Sequence, residues 1–314
     1  MGRYILQRLL LVIPTLLGVT IFVSLLVRFI PGGAAAAFCA EGCTEEQSAA
    51  IEESLGLDRP WPVQYADWIG GVFQGDLGEG FQNRRSVMDD IKTRLPVTMQ
   101  LGIMAMIIGL LIALPIGIIS AIRQDSFIDY IARSSAIAWL SLPSFWLGTL
   151  IIAYGGKYFG WAPPLTYKSF LESPSENLTI TLIPALLLGA ALSGTVMRLS
   201  RTQMLEVMRQ DYIRTAWSKG LKERTIIARH AIRNAFIPVI TVIGLQVPIL
   251  VGGSVIVETI FNVPGIGRYL VTAINQRDYP IIQGVNLVIA TVVVLTNVVV
   301  DVSYSVLDPR VRYS

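Results

Sequence analysis

Long apolar runs, each bounded by polar or charged residues, dominate the pattern along this chain. A bilayer span needs roughly 20 mostly apolar residues at a rise of about 1.5 Å each. Six runs qualify, at about 9–30, 97–122, 132–156, 179–197, 235–257 and 281–307. The pattern therefore predicts an all-α polytopic membrane protein with six transmembrane helices. No internal repeat and no Gly/Ser linker divides the chain, so 1–314 reads as one membrane domain. It opens with an N-terminal helix (1–30), continues through a polar loop (31–95), and ends in a five-helix core (96–307) that carries a second loop at 198–235.

Composition agrees with the pattern. Hydrophobic residues make up 53% of the chain and charged residues only 15%, where a soluble protein carries about a quarter. The net charge of +3 is too small to argue for a partner, but its placement is informative. Arg3 and Arg8 precede the first apolar run in the manner of a signal peptide. However, "LLLVIPTLLGVTIFVSLLV" is longer than a usual signal core and no small-x-small cleavage site closes it, so a retained helix is expected. With the N-terminus inside, the inner segments hold fifteen of the 25 Lys and Arg residues, nine of them between 198 and 233. The outer segments hold nine, and Arg28 at the end of the first span can snorkel. That bias predicts cytoplasmic N and C termini and an extracytoplasmic 31–95 loop.

The 31–95 loop is acidic. Within it, "PWPVQYADWIGGVF" sets Trp61, Tyr65, Trp68 and Phe73 near helical spacing. Those aromatics suit a helix at the membrane–water boundary, packing over the helix ends, or contact with a substrate. Cys39 and Cys43 are the only cysteines, and both fall on the oxidising side. A disulfide across that short gap and two unpaired thiols are both open readings. Two thiols without further ligands make no closed zinc site, so no metal is expected.

Catalytic chemistry is scarce. No G-x-x-x-x-G-K-[ST] loop is present, and the single histidine, His230, leaves little for a hydrolase triad or a His-based metal site. Whatever energy drives the protein is expected from elsewhere, with no cofactor bound by this chain. Polar groups inside the spans are costly and mark pathways. The candidates are Gln100, Gln246, Glu258, Asn286, Asn297 and Asp301, with structural hydrogen bonding expected for the last two. Gln246 and Glu258 bracket the small-residue helix "GLQVPILVGGSVIVE", which suits a lined cavity. With Asn286 they are the candidate translocation-path residues.

The segment 209–236, "RQDYIRTAWSKGLKERTIIARHAIRNAF", packs seven Lys/Arg into an otherwise oily protein. Nucleic-acid binding is disfavoured, because the charge belongs to a polytopic membrane protein without a recognition fold. A positive-inside signal needs only a few charges. Tyr212, Ile213, Ala216, Trp217 and Leu221 recur at three- and four-residue spacing, so a short amphipathic helix is expected, with Gly220 ending or bending it. Held between two membrane helices, it is a handle for a cytosolic partner.

At these residues the chain resembles the permease subunits of ABC importers, in the form found in the dipeptide/oligopeptide subfamily. "DYIRTAxxKGL" followed by "HAIRNAFIPVITVIGLQ" carries the likeness, although Arg214 stands where the general loop pattern has Glu. "LGLDRPWPVQY", "GDLG", "SLPSFWLG", "VETIFNVPGIGR", "RDYPIIQG" and "NVVVDVSYSVLDPRVRY" extend it over nearly the whole chain. The resemblance implies the type I importer permease fold in a bacterial or archaeal cytoplasmic membrane. It also implies a second homologous permease, two ATP-binding subunits that hold ATP and Mg, and an extracytoplasmic binding protein. Asp211, Tyr212, Arg214, Thr215, Ala216, Lys219 and Gly220 would then lie on or beside the helix that couples to the ATPase. Peptides are the implied cargo, with nickel chelates, glutathione or oligosaccharides as alternatives. A standalone ion-coupled carrier is the rival from another class.

Overall fold

The computed structural model describes residues 2–30, 33–39 and 44–307. Its elements are the helices α1 (Gly2–Leu26), α2 (Glu45–Ser54), α3 (Trp61–Phe73), α4 (Val87–Ile122), α5 (Phe127–Ser141) and α6 (Ser144–Phe159). These are followed by α7 (Pro174–Met208), α8 (Asp211–Ser218), α9 (Glu223–Thr225), α10 (Ile232–Ile260), α11 (Ile266–Asn275) and α12 (Tyr279–Leu307). A π-helical stretch, Ile226–Ala231, joins α9 to α10. Among the described residues the only β feature is an isolated bridge between Glu79 and Ser86.

Among the described residues five helical stretches are long and apolar enough to cross a membrane, and the bent pair α5–α6 supplies a sixth if counted as one span. That pair corrects the expected continuous helix over 132–156. Its two halves meet at 93°. The cause lies inside "SLPSFWLG": Pro143 lacks an N–H and pushes its predecessor out of the α region. Leu142 accordingly sits at φ −91°, ψ 121°, and Pro143 at ψ 130°.

The chain forms two compact units, Met1–Thr98 with Pro264–Leu295, and Met99–Val263 with Thr296–Ser314. In the first unit, α3 lies along the end of α1, and its aromatic tips find partners there. The Tyr65 hydroxyl is 2.9 Å from Thr20 Oγ1, and Trp61 Nε1 donates to Ser24 Oγ at 3.0 Å. Trp68 Nε1 donates to the Leu77 carbonyl. Trp61 and Tyr65 thus pack on the end of α1, whereas Phe73 stays exposed. Arg28 is tied into the same contact through Ser24 and Gln64. Below this layer Val87, Ile91, Ile266, Tyr269, Ile281 and Val285 form the unit's core.

The second unit is built on α7. Of its apolar window 72% is buried, against 22% for each of the other long spans. Small residues allow that enclosure, because they let backbones approach. A Cβ on Gly189 would stand 2.7 Å from the Ala105 carbonyl oxygen of α4, and one on Gly194 would stand 2.9 Å from the Ala136 oxygen of α5. The buried amide of Asn177 on α7 bonds Gln100 of α4 and the Lys168 carbonyl. Gln100 therefore serves structure here. Asn286 donates to the Ile282 carbonyl one turn earlier at 2.8 Å. The Asn297 amide oxygen, by contrast, finds no donor among the described residues, and the Asp301 side chain lies outside them.

No cysteine is free among the described residues. Cys43 lies outside them, so its pairing with Cys39 is kept as a proposal.

Candidate functional site

Helix α8 is the amphipathic segment expected from the 209–236 pattern. Asp211 occupies its first turn, where a carboxylate complements the positive end of the helix dipole. Its C-terminus is closed by backbone geometry. Lys219 is the cap residue and Gly220 follows at φ +73°. The Gly220 N–H donates to the Trp217 carbonyl at 2.9 Å, and the Leu221 N–H reaches back to the Ala216 carbonyl at 3.4 Å. This pair of bonds is the Schellman arrangement, which needs a left-handed residue where Gly220 stands.

The apolar residues of this segment divide into two sets, and Leu221, expected on the same helix, falls beyond its end because Gly220 has already turned the chain. Ile213 and Ala216 are buried, and they pack with Ala121 of α4, Met204 of α7, Ile226 and Ala231 of the π stretch, and Ala235 of α10. Tyr212, Trp217 and Leu221 stay 43, 44 and 38% exposed. The expected apolar face is thus divided: Ala216 packs against its own chain, and Trp217 with Leu221 are left as exposed apolar surface. The Tyr212 ring is held in place as its hydroxyl accepts from Asn234 Nδ2 at 2.9 Å. Arg214 and Thr215 are exposed, and among the described residues Arg214 pairs only with Asp211 of its own helix, at 3.5 Å. An exposed pair of that kind is worth little.

Gln246 and Glu258 both lie on α10, and the chain's own atoms bury them, Glu258 completely. Twelve residues separate them, which is about 18 Å along a helix. Asn286 belongs to the other compact unit. No group of three or more metal-ligating side chains occurs among the described residues.

With this geometry the comparisons with known proteins agree. Residues 113–313 match the family described as binding-protein-dependent transport system inner membrane component, and residues 1–102 match its N-terminal companion. The chain belongs to this permease family. A protein of Brucella abortus (strain 2308) named for a peptide transport system is 41% identical, with all of both chains covered. The dipeptide transport system permease protein DppB of Escherichia coli K12 is 37% identical over all of this chain and 99% of its own. Among solved structures, an inward-facing MetNI methionine ABC transporter aligns with a TM-score of 0.56 at 16% identity, over 70% of this chain and 97% of that one. An amino acid ABC transporter gives 0.52 at 18%, over 71% and 94%. At such identities the likeness is one of fold, and it fits the type I permease architecture.

The permease also holds a cluster that sequence reasoning missed. Asp129 of α5 is fully buried and accepts a two-pronged bond from Arg201 of α7, Nε to Oδ1 at 2.7 Å and Nη2 to Oδ2 at 2.8 Å. Ser120 of α4 donates to the same carboxylate, and the Asp125 N–H adds a fourth bond at 3.0 Å. Arg201 had counted only as one more positive-inside charge. Nothing in the spacing of 129 and 201 foretells their pairing, since it depends on how α5 crosses α7.

Proposed function

We propose that the permease forms half of the translocation path of an ATP-driven importer for di- and oligopeptides, with α8 as the element its ATPase partner grips. The observation that carries this reading is the division of the segment 211–221 into a buried anchor, Ile213 and Ala216, and exposed Tyr212, Trp217 and Leu221. A short helix bound rigidly to four others moves them when pushed. The names of the relatives support peptide cargo. In this reading ATP and Mg reside on two cytosolic subunits, a second homologous permease completes the path, and an extracytoplasmic binding protein delivers the peptide. The home of the assembly is a bacterial or archaeal cytoplasmic membrane. Purified with its partners, the permease is expected to retain the ATP-binding subunits and to import labelled peptide only with ATP and binding protein. Uptake by the lone chain, driven by an ion gradient, would replace this reading with that of a carrier.

The termini and α8 are proposed to be cytoplasmic, and Cys39 and Cys43 extracytoplasmic and paired. In intact cells an impermeant maleimide should label Thr44→Cys, placed in a Cys39/Cys43-free background, but not Ser314→Cys. Native Cys39 and Cys43 should take the label only after reduction. Labelling at Ser314→Cys would reverse the orientation, and labelling of both native cysteines without reductant would remove the disulfide.

A further inference from the structure

The first compact unit contains a polar recess of about 470 Å³, lined by Gln82, Asn83, Arg94, Tyr269, Thr272 and Asp278, among others. Its size falls in the roughly 300–1,000 Å³ range of small-ligand sites. The walls come from the end of the 31–95 segment, the first turns of α4, and the α11 region.

Arg94 is the unusual member. Its guanidinium carbon sits 4.5 Å from the centre of the Tyr269 ring. Its Nε is buried without an acceptor, and no ion pair is found for it among the described residues. The acid nearest to its stacking partner is committed elsewhere. Asp90, buried, accepts from the Tyr269 hydroxyl at 2.9 Å and the Asn83 amide at 3.4 Å, and lies 3.5 Å from Arg85. Burial and Asp90 hold the Tyr269 phenol well above its ordinary pKa, so the ring stays a neutral, fixed platform. The other acid of the recess, Asp278, accepts long bonds from the Gln82 and Ile281 N–H groups. Burial pushes its carboxyl up, toward the neutral form. The result is a cation stacked in one orientation, beside amides and a hydroxyl, with Asp278 and a second guanidinium, Arg268, which is itself engaged, also on the wall. A planar guanidinium in that state suits a carboxylate, which it can bind through paired N–H groups. With Arg268 already engaged, Arg94 is left as one planar cation, which matches a single negative charge better than a phosphate.

We propose that this recess receives the C-terminal carboxylate of the transported peptide, with Arg94 as its anchor. The inference rests on the peptide-importer reading. Under the orientation proposed above, the recess opens on the side from which peptide arrives.

The test uses the purified importer complex in nanodiscs, titrated calorimetrically with trialanine and with trialanine amide. The free acid is expected to bind at least about tenfold more tightly than the amide, as a charge-assisted hydrogen bond requires. Arg94→Gln should erase that preference, and Arg94→Lys should keep part of it, since charge survives while the stacked fork is lost. Equal binding of acid and amide by the wild type, no binding of either, or an undiminished preference in a folded Arg94→Gln protein overturns the proposal. If Arg94→Gln fails to fold, the wild-type pair and Arg94→Lys still decide. ATP-dependent trialanine uptake is measured in parallel. Its absence in the wild type removes the peptide reading, whereas uptake without acid–amide discrimination at this site removes only the recess.

Discussion

Gly220→Pro is expected to abolish ATP-dependent uptake while leaving insertion of the membrane helices intact. Two independent losses meet at this position. Proline fixes φ near −65°, whereas Gly220 stands at +73°. Proline also removes the N–H that donates to the Trp217 carbonyl at 2.9 Å. The cap of α8 then opens, and Trp217 and Leu221 lose their positions relative to the anchored Ile213. A graded series separates this mechanism from a simple charge signal, because every variant keeps the same net charge. Activity should fall in the order Gly, Asn, Ala, Pro: asparagine visits the left-handed region readily, and alanine pays about 1–2 kcal/mol there. Trp217→Ala attacks the proposed docking surface without touching the cap. If Trp217 is a buried anchor of the interface, the ATP-binding subunits should bind roughly 30-fold more weakly, equivalent to about 2 kcal/mol. Ala216→Arg is a poorer probe than the sequence pattern suggests, since Ala216 faces its own chain and the variant would confound docking with folding. Full uptake by a correctly inserted Gly220→Pro protein would reduce the 209–236 segment to a topological signal.

What could be read in the sequence followed from local physics. The apolar runs located the spans because a bilayer imposes length and hydrophobicity residue by residue. Gly220 announced a helix end or bend, because the left-handed requirement is local too, and it overrode the spacing that had put Leu221 on the same helix. The break at Leu142–Pro143 was equally local, and the proline stood in plain view within a run whose apolar character masked it. Other features depended on which helix meets which. The same three-and-four spacing joined Ile213 and Ala216 to Tyr212, Trp217 and Leu221, and only the packing of α4, α7 and α10 tells the anchor from the exposed set. Asn234, which holds Tyr212, carried no signal at a separation of 22 residues. Arg94 read as one charge of the outer loop, and its free donor becomes visible only beside Tyr269.

Arg201→Ala is expected to be the most damaging single substitution for the fold of the second unit. It strips the two-pronged partner from a carboxylate with no exposed surface. Breaking a buried pair from one side typically costs about 3–5 kcal/mol, because the remaining charge has no water to return to. The low end applies here: Ser120, the Asp125 N–H and the half-exposed Arg133, 3.4 Å away, still face Asp129. A loss of about 3 kcal/mol is a large share of a marginal stability. Removing both charges should hurt much less than removing one, so Asp129→Leu with Arg201→Met is expected to melt closer to wild type than Arg201→Ala does. The double-mutant cycle, read by thermal unfolding in nanodiscs, checks this, and additive effects would show that the pair contributes no coupling. The cluster also ties the ends of α4, α5 and α7, and Ala121 and Met204, which help anchor α8, stand one and three residues from Ser120 and Arg201. A loosened tie should therefore let the handle yield instead of transmitting force. Arg201→Ala is expected to lower peptide-stimulated ATP hydrolysis even below its melting temperature, and normal stimulation there would confine the cluster to stability.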